Sequence, residues 1–213
     1  RPSASLPARE EEREPTGPMF LCLALCVARP PSGSTPTRAR PPTAALVDIL
    51  TTGPNSRRIS SSIVVDAAQD DVWAVITDYD RIADYTPNVL CSRVVSAADA
   101  PRVRVFQEGS QNIAGFEFRA SLTMEMTPIT TDALRRPLPA PRLAFRCVES
   151  EMFSEYTGEF RLDPSVGKRT RLSFRVDITP RGPVPVLPLE WRIREDVPIN
   201  LSGLKLAAEA RGQ

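Results

Sequence analysis

The chain has 213 residues, with 27 basic and 26 acidic side chains, four cysteines and no histidine. That length predicts one domain, with room for a tail. A near-neutral balance with no basic run longer than two residues speaks against capture of nucleic acid or anionic lipid by charge. Lacking histidine, and with Cys22, Cys26, Cys91 and Cys147 spread along the chain, it fits neither a zinc site nor a disulfide framework. Cys91 and Cys147 read as plain buried thiols in strands.

Residues 1–55 read as a disordered tail. Nearly half of the 22 prolines lie there among Gly, Ser, Thr and Arg, with no apolar periodicity. The chain opens on Arg1 and not on Met, so a fragment or an over-extended start is expected. From Met19 to Val47 acidic residues are missing, while Arg29, Arg38 and Arg40 stand among Ser, Thr, Pro and Ala. That is the character of an organellar transit peptide, plastid first and mitochondrion second; an untargeted tail is the plain alternative. The apolar run Phe20–Ala28 is too short for a bilayer span, which takes ~20 residues, and it lacks the basic flank of a secretory signal.

Residues 56–213 read as the folded domain. Ile59–Val65 is a β-branched first strand. From Asp70, a short amphipathic helix carries Val72, Trp73, Val75 and Ile76 on one side and Asp70–Asp71 in its first turn. Asp66 and Gln69 stand at capping-box spacing. Asp78 opens a second helical piece that Pro87 stops. Strands follow at Leu90–Ser96 and Arg102–Gln107. Phe116–Thr127 then alternates strictly, with Phe116, Phe118, Ala120, Leu122, Met124 and Met126 on one face. Arg142–Glu149, Ser154–Leu162 and Thr170–Thr179 complete seven strands. Thr130–Pro141, with Pro137, Pro139 and Pro141, reads as an exposed stiff loop, the one feature beside the tail that would suit a partner protein. Leu189, Ile193, Val197, Leu201, Leu204 and Ala208 recur at steps of four and three, one stripe of a C-terminal helix. Pro198 leaves two readings there, a kinked helix or two shorter ones. One-sided strands with a covering helix predict an α+β domain.

Two motifs add a resemblance. Val72, Trp73, Ile76, Thr77, Asp78, Tyr79, Pro87 and Asn88 match the V-W-x-x-[IVL]-T-D-Y…P-N signature of the START-like (SRPBCC) superfamily. Asp196, Val197, Pro198, Asn200, Leu201 and Leu204 match the D-[LV]-P-x-N-L-x-x-L run of its terminal helix. The chain resembles in particular the polyketide cyclase/dehydrase and coenzyme Q-binding branch, over roughly Arg58–Ala210. The resemblance implies a helix-grip fold, about seven antiparallel strands curled around one long helix, with two short helices after the first strand. It also implies a cavity for a hydrophobic ligand such as an isoprenoid quinone, lipid or polyketide-like molecule. In that fold the lining would come from Phe116, Phe118, Leu122, Met124, Phe145, Tyr156, Phe160, Phe174 and Val176 on the sheet, and from Ile193, Val197, Leu201 and Leu204 on the helix.

Tyr156 is the candidate hydrogen-bond donor to a ligand oxygen. Trp191 reads as a cavity-mouth or packing residue, and Asp196 and Asn200 as partners for backbone groups freed by Pro198. Glu149, Glu151, Glu155 and Glu159 read as a solvated face. With no nucleophile elbow, phosphate loop or metal pattern, no catalytic residue is assigned and no cofactor is expected. Three functions follow, in this order: a carrier of a hydrophobic small molecule, a cyclase/dehydrase using the same cavity, and a non-catalytic assembly factor. Transient membrane contact fits the first. No protein partner is assigned.

Overall fold

The computed structural model describes residues 45–113, 116–182 and 186–212, the side chains of 111–118 and 186–188 excepted. Eight strands form one antiparallel sheet: β1 (Val47–Gly53), β2 (Ser56–Val65), β3 (Val89–Val94), β4 (Val103–Ile113), β5 (Phe116–Thr131), β6 (Pro137–Ser150), β7 (Phe153–Pro164) and β8 (Thr170–Pro180). Their order is β1-β2-β8-β7-β6-β5-β4-β3, so β3 to β8 form a meander that closes back onto β2. Between β2 and β3 lie α1 (Gln69–Ile76), a 3-10 turn (Tyr79–Arg81) and α2 (Ile82–Tyr85). The chain ends in α3 (Val186–Arg211), one helix that runs on through Pro198.

β1 was not expected. It lies inside what the sequence reads as tail and pairs with β2 from Val47↔Ser61 to Gly53↔Ser56. Ala45 is buried, and Ser61 donates its hydroxyl to the Leu46 carbonyl. The folded unit therefore begins before Ser56. The proline-rich stretch expected to be disordered, with the transit-type segment, falls up to residue 44 outside the described residues.

The expected loop Thr130–Pro141 is also mostly strand. β5 runs to Thr131, Asp132 organises a tight turn by accepting from the Leu134 and Arg136 backbone, and β6 starts at Pro137. Arg135 takes the turn's positive φ of 60°. Pro139 and Pro141 lack the N–H a ladder needs, and the β6–β7 pairing begins only at Arg142↔Arg161. Gln69 fills the gap, its amide donating to the carbonyls of Pro139 and Leu162 at 2.9 and 3.0 Å. It does not serve a capping box: Ala68 is the N-cap of α1, and the Asp66 side chain makes no cap bond. Gln69→Leu should cost about 1–3 kcal/mol by stranding both carbonyls, read as a lower urea midpoint. An unchanged midpoint would mean that water replaces the amide.

The inner face is built by alternation. In β2 every second residue is buried, from Arg57 through Ile59, Ser61 and Ile63 to Val65. Arg57 belongs inside because Glu190 of α3 meets it at 2.8 Å, fixing the helix start to the sheet. The outer face is laced with arginine–carboxylate pairs. Glu125, only 4% exposed, is covered by Arg102, Arg146 and Arg104, while Arg142 and Arg175 flank Glu159. Hydrogen bonding from Arg102, then from Arg146, holds the Glu125 carboxyl below its ordinary 4.5. A depressed folded value adds stability above pH 4.5 that is lost as pH falls through it. Thermal melts between neutral pH and pH ~3 should therefore decline less steeply for Glu125→Gln than for wild type. Identical slopes would remove Glu125 from the acid response.

Candidate functional site

α3 packs on β1, β2, α1 and α2 and stands off from β4–β7. A cavity of about 200 Å3 fills that space. Its sheet wall is supplied by Met124 and Met126 of β5, Phe145 of β6, Tyr156 and Phe160 of β7, and Phe174 of β8. The helix wall is Val197, Asn200, Leu201 and Leu204, and Gln107 of β4 closes one side. A cap comes from the segment between β2 and β3: Ile76, Tyr79, Ile82 and Thr86, with Val89 at the start of β3.

Eight residues proposed from sequence thus border the cavity: Met124, Phe145, Tyr156, Phe160, Phe174, Val197, Leu201 and Leu204. Leu122, Val176 and Ile193 do not; they belong to the packed core beside it. Being on the right face is insufficient, because only part of that face lies opposite the gap. The side chains of Phe116 and Phe118 lie outside the described residues. Sequence reasoning missed the cap, Met126, Gln107 and Asn200.

The aromatic wall has a structural cause. Phe145 lies over Gly158, where a Cβ would fall 2.6 Å from its Cζ and 2.2 Å from the Arg175 carbonyl. That vacancy lets Phe145 sit with ring centroids 5.8 Å from both Tyr156 and Phe160 and 6.2 Å from Phe174. Phe160 and Phe174 meet at 5.1 Å.

The cap is fastened to α3 at two points. Gly203 lies against the Tyr85 carbonyl. Asn88 donates its amide to Asp196 at 3.1 Å and to the Asn200 carbonyl at 3.5 Å. Asp196 also accepts from Arg192 at 3.1 Å. Asp196 and Asn200 therefore hold the cap, and Ser202 donates to the Pro198 carbonyl.

Polar atoms in the cavity are few. Tyr156 makes no hydrogen bond among the described residues, and burial, with a smaller contribution from Cys147, pushes its phenol up to about 12. It is a protonated donor at any physiological pH. Burial likewise raises Tyr79. Gln107 is oriented by donating to Ser92 Oγ at 3.2 Å, and Ser92 is fixed by its own bond to the Tyr79 carbonyl at 2.6 Å. Trp191 lies on the exposed side of α3 with the Arg192 guanidinium 5.6 Å over its ring. Cys91 and Cys147 are free thiols, half-buried and not fully so. Glu155 and Glu159 face outward, bonded to Thr179 and the arginines.

Among the described residues no cluster of metal-binding side chains occurs, and no helix is long and apolar enough to cross a membrane.

The same architecture occurs in solved proteins. The aromatase/cyclase Zhui of Streptomyces sp. R1128 superposes with a TM-score of 0.57 at 20% identity, covering 74% of this chain and 96% of its own. Human StAR-related lipid transfer protein 5 gives 0.61 at 10% identity, covering 82% and 91%. The STAR-related lipid transfer protein of Xanthomonas axonopodis gives 0.53 at 14% identity, covering 78% and 97%. At such identities the likeness shows the fold, START-like and helix-grip, and not the ligand. No curated protein matches the sequence. The family model described as polyketide cyclase/dehydrase and lipid transport matches residues 56–209, and the chain belongs to that family.

Proposed function

We propose that the protein binds a hydrophobic small molecule in the cavity beneath α3 and sequesters it from water or a membrane. The observation that carries this reading is the lining itself: mostly aliphatic, Met and aromatic side chains, with Thr86, Gln107 and Asn200 as neutral polar members and the phenols of Tyr79 and Tyr156 as the only ionisable groups among the described residues. Burying apolar ligand surface there yields ~25 cal/mol per Å2. Both phenols are pushed up by burial, so neither supplies a base near neutral pH, which favours binding over general-base chemistry. The family's description favours a lipid or a polyketide-like molecule, and the sequence resemblance adds an isoprenoid quinone. Entry is by the cap, α2 and the turn before it, swinging from α3.

A cyclase reading draws on one observation, Tyr156 on the cavity wall with no hydrogen bond among the described residues. There it would donate to a carbonyl while the walls fold the chain. Turnover of a polyketide lost in Tyr156→Phe would favour it; a carrier keeps its uptake. For localisation we propose plastid import on the Met19–Val47 composition. A fusion of residues 1–46 to a fluorescent protein tests that, and cytosolic fluorescence would sink it.

The binding test uses N-phenyl-1-naphthylamine, an uncharged reporter that brightens in apolar sites. It should bind the full-length chain in one-to-one ratio, and Val197→Trp, which fills the cavity from α3, should weaken it more than ~10-fold. Unaltered binding in that variant would place the reporter elsewhere and count against the cavity.

A further inference from the structure

β5 borders a space on each of its faces. Met124 and Met126 point into the cavity beneath α3, so Glu125 between them points to the outer face of the sheet. There a second pocket of about 500 Å3 opens, sharing no residue with the first.

The floor of this pocket is charged. One oxygen of Glu125, Oε1, accepts from Arg102 and from two nitrogens of Arg146, at 3.0 and 3.3 Å. The carboxylate thus buttresses two guanidinium groups. Arg104 is held differently. Its Nε stands 4.0 Å from Glu125 Oε2, beyond hydrogen-bond range, and its side chain makes no hydrogen bond among the described residues. Three positive charges meet one negative, which leaves an excess of two. Arg93 of β3 adds to the same field, lying 4.9 Å over the Phe106 ring with no carboxylate paired to it among the described residues. The chain as a whole is nearly balanced; the fold creates the local excess by setting β3, β4, β5 and β6 side by side.

The wall is the loop between β3 and β4, and it is tied down. The Val95 N–H donates to the Arg104 carbonyl at 2.8 Å, and the Arg104 N–H donates to Ser96 Oγ at 3.1 Å. Accepting there leaves the Ser96 hydroxyl hydrogen to donate elsewhere. Val95, Ala97, Ala100 and Pro101 make the rest of the wall apolar, and Asp99, the loop's one acid, does not line the pocket.

We propose that this outer pocket binds an organic phosphate monoester, its phosphoryl head between Arg102, Arg104 and Ser96 and its neutral body against the apolar loop. A phosphate monoester carries about two negative charges at neutral pH, which matches the excess. Guanidinium forks suit its oxygens in paired hydrogen bonds. The volume falls within the ~300–1,000 Å3 of small-molecule sites, so there is room for a body beside the head. The site is separate from the cavity and stands or falls independently of it.

The test is isothermal titration calorimetry of the full-length protein with phenyl phosphate at low salt. One site should fill with a Kd below ~1 mM, at least ~5-fold tighter than for inorganic phosphate, which lacks the body. Arg104→Gln should weaken the ester ~10-fold or more, the worth of a charge-assisted hydrogen bond. Ala97→Trp should weaken it as much by filling the pocket with no change of charge. Both positions are exposed, so both variants should fold and bind N-phenyl-1-naphthylamine in the cavity as wild type does. Arg175→Gln, on the same face but outside the pocket, should leave ester binding unchanged. No binding by wild type, wild-type affinity in Arg104→Gln or Ala97→Trp, or equal affinity for inorganic phosphate would overturn the proposal. So would an equal loss in Arg175→Gln, which would reduce the site to diffuse surface charge. Vesicles containing phosphatidic acid carry the same group on a lipid; binding to them without binding to the soluble ester would overturn the proposal in favour of a membrane headgroup.

Discussion

Gly203→Ala should destabilise the protein by about 3 kcal/mol and loosen the cap over the cavity. Two effects of opposite sign compete at this position. Alanine in a helix interior is favoured over glycine by ~1 kcal/mol, and Gly203 lies within α3. Against that, a Cβ there would stand 1.8 Å from the Tyr85 carbonyl oxygen and 3.0 Å from its carbon. These are backbone atoms of α2, so no side chain can rotate aside; α2 and α3 must separate by at least ~1 Å. Overpacking a close contact costs ~1–3 kcal/mol and sometimes more, and backbone against backbone belongs at the upper end. The melting temperature should fall by roughly 6–12 °C. Separation also lengthens the Asn88–Asp196 bond and withdraws Ile82 and Thr86, so reporter affinity should fall as well. A rise of a few degrees, as helix propensity alone demands, would show that α2 does not rest on Gly203.

Phe145→Ala should have a comparable effect on stability and the opposite effect on ligand size. Phe145 is 4% exposed and touches the rings of Tyr156, Phe160 and Phe174. Removing a buried Phe costs ~3–5 kcal/mol, and the higher figure requires that neighbours fail to fill the void. Here Gly158 beneath the ring offers no side chain to fill it. The variant should therefore melt lower and bind bulkier ring compounds better than wild type, relative to small ones. Equal loss of affinity across sizes would mean that the wall collapses.

Much of the fold was legible because a strand with one wet face writes its alternation into the sequence. Phe116–Thr127 and Thr170–Thr179 did so, and the structure places strands over both. β1 hid for a physical reason: an edge strand beside β2 alone, it exposes four of its seven residues, so VDILTTG has little apolar pattern to show. The proline-bearing start of β6 hid because its missing N–H groups are compensated from far away, by Gln69.

For the cavity, the apolar parity located Met124, Phe145, Phe160 and Phe174. It could not separate cavity lining from core, as Leu122 and Val176 show. The polar members escaped. Gln107 and Asn200 look like surface residues until the fold turns them inward, and α2 has only four residues, too few to display a period. Arg57 is the same case in the core, its charge hidden until Glu190 is brought to it from the other end of the chain.

The most direct measurement is mass spectrometry of an organic extract from the full-length protein, purified gently from a native-like host, beside Val197→Trp prepared in parallel. The account predicts a hydrophobic small molecule in near-stoichiometric amount in the wild type and its loss from the variant. A wild-type protein that is empty, and that takes up no quinone, fatty acid or oxygenated aromatic from a panel, would contradict it.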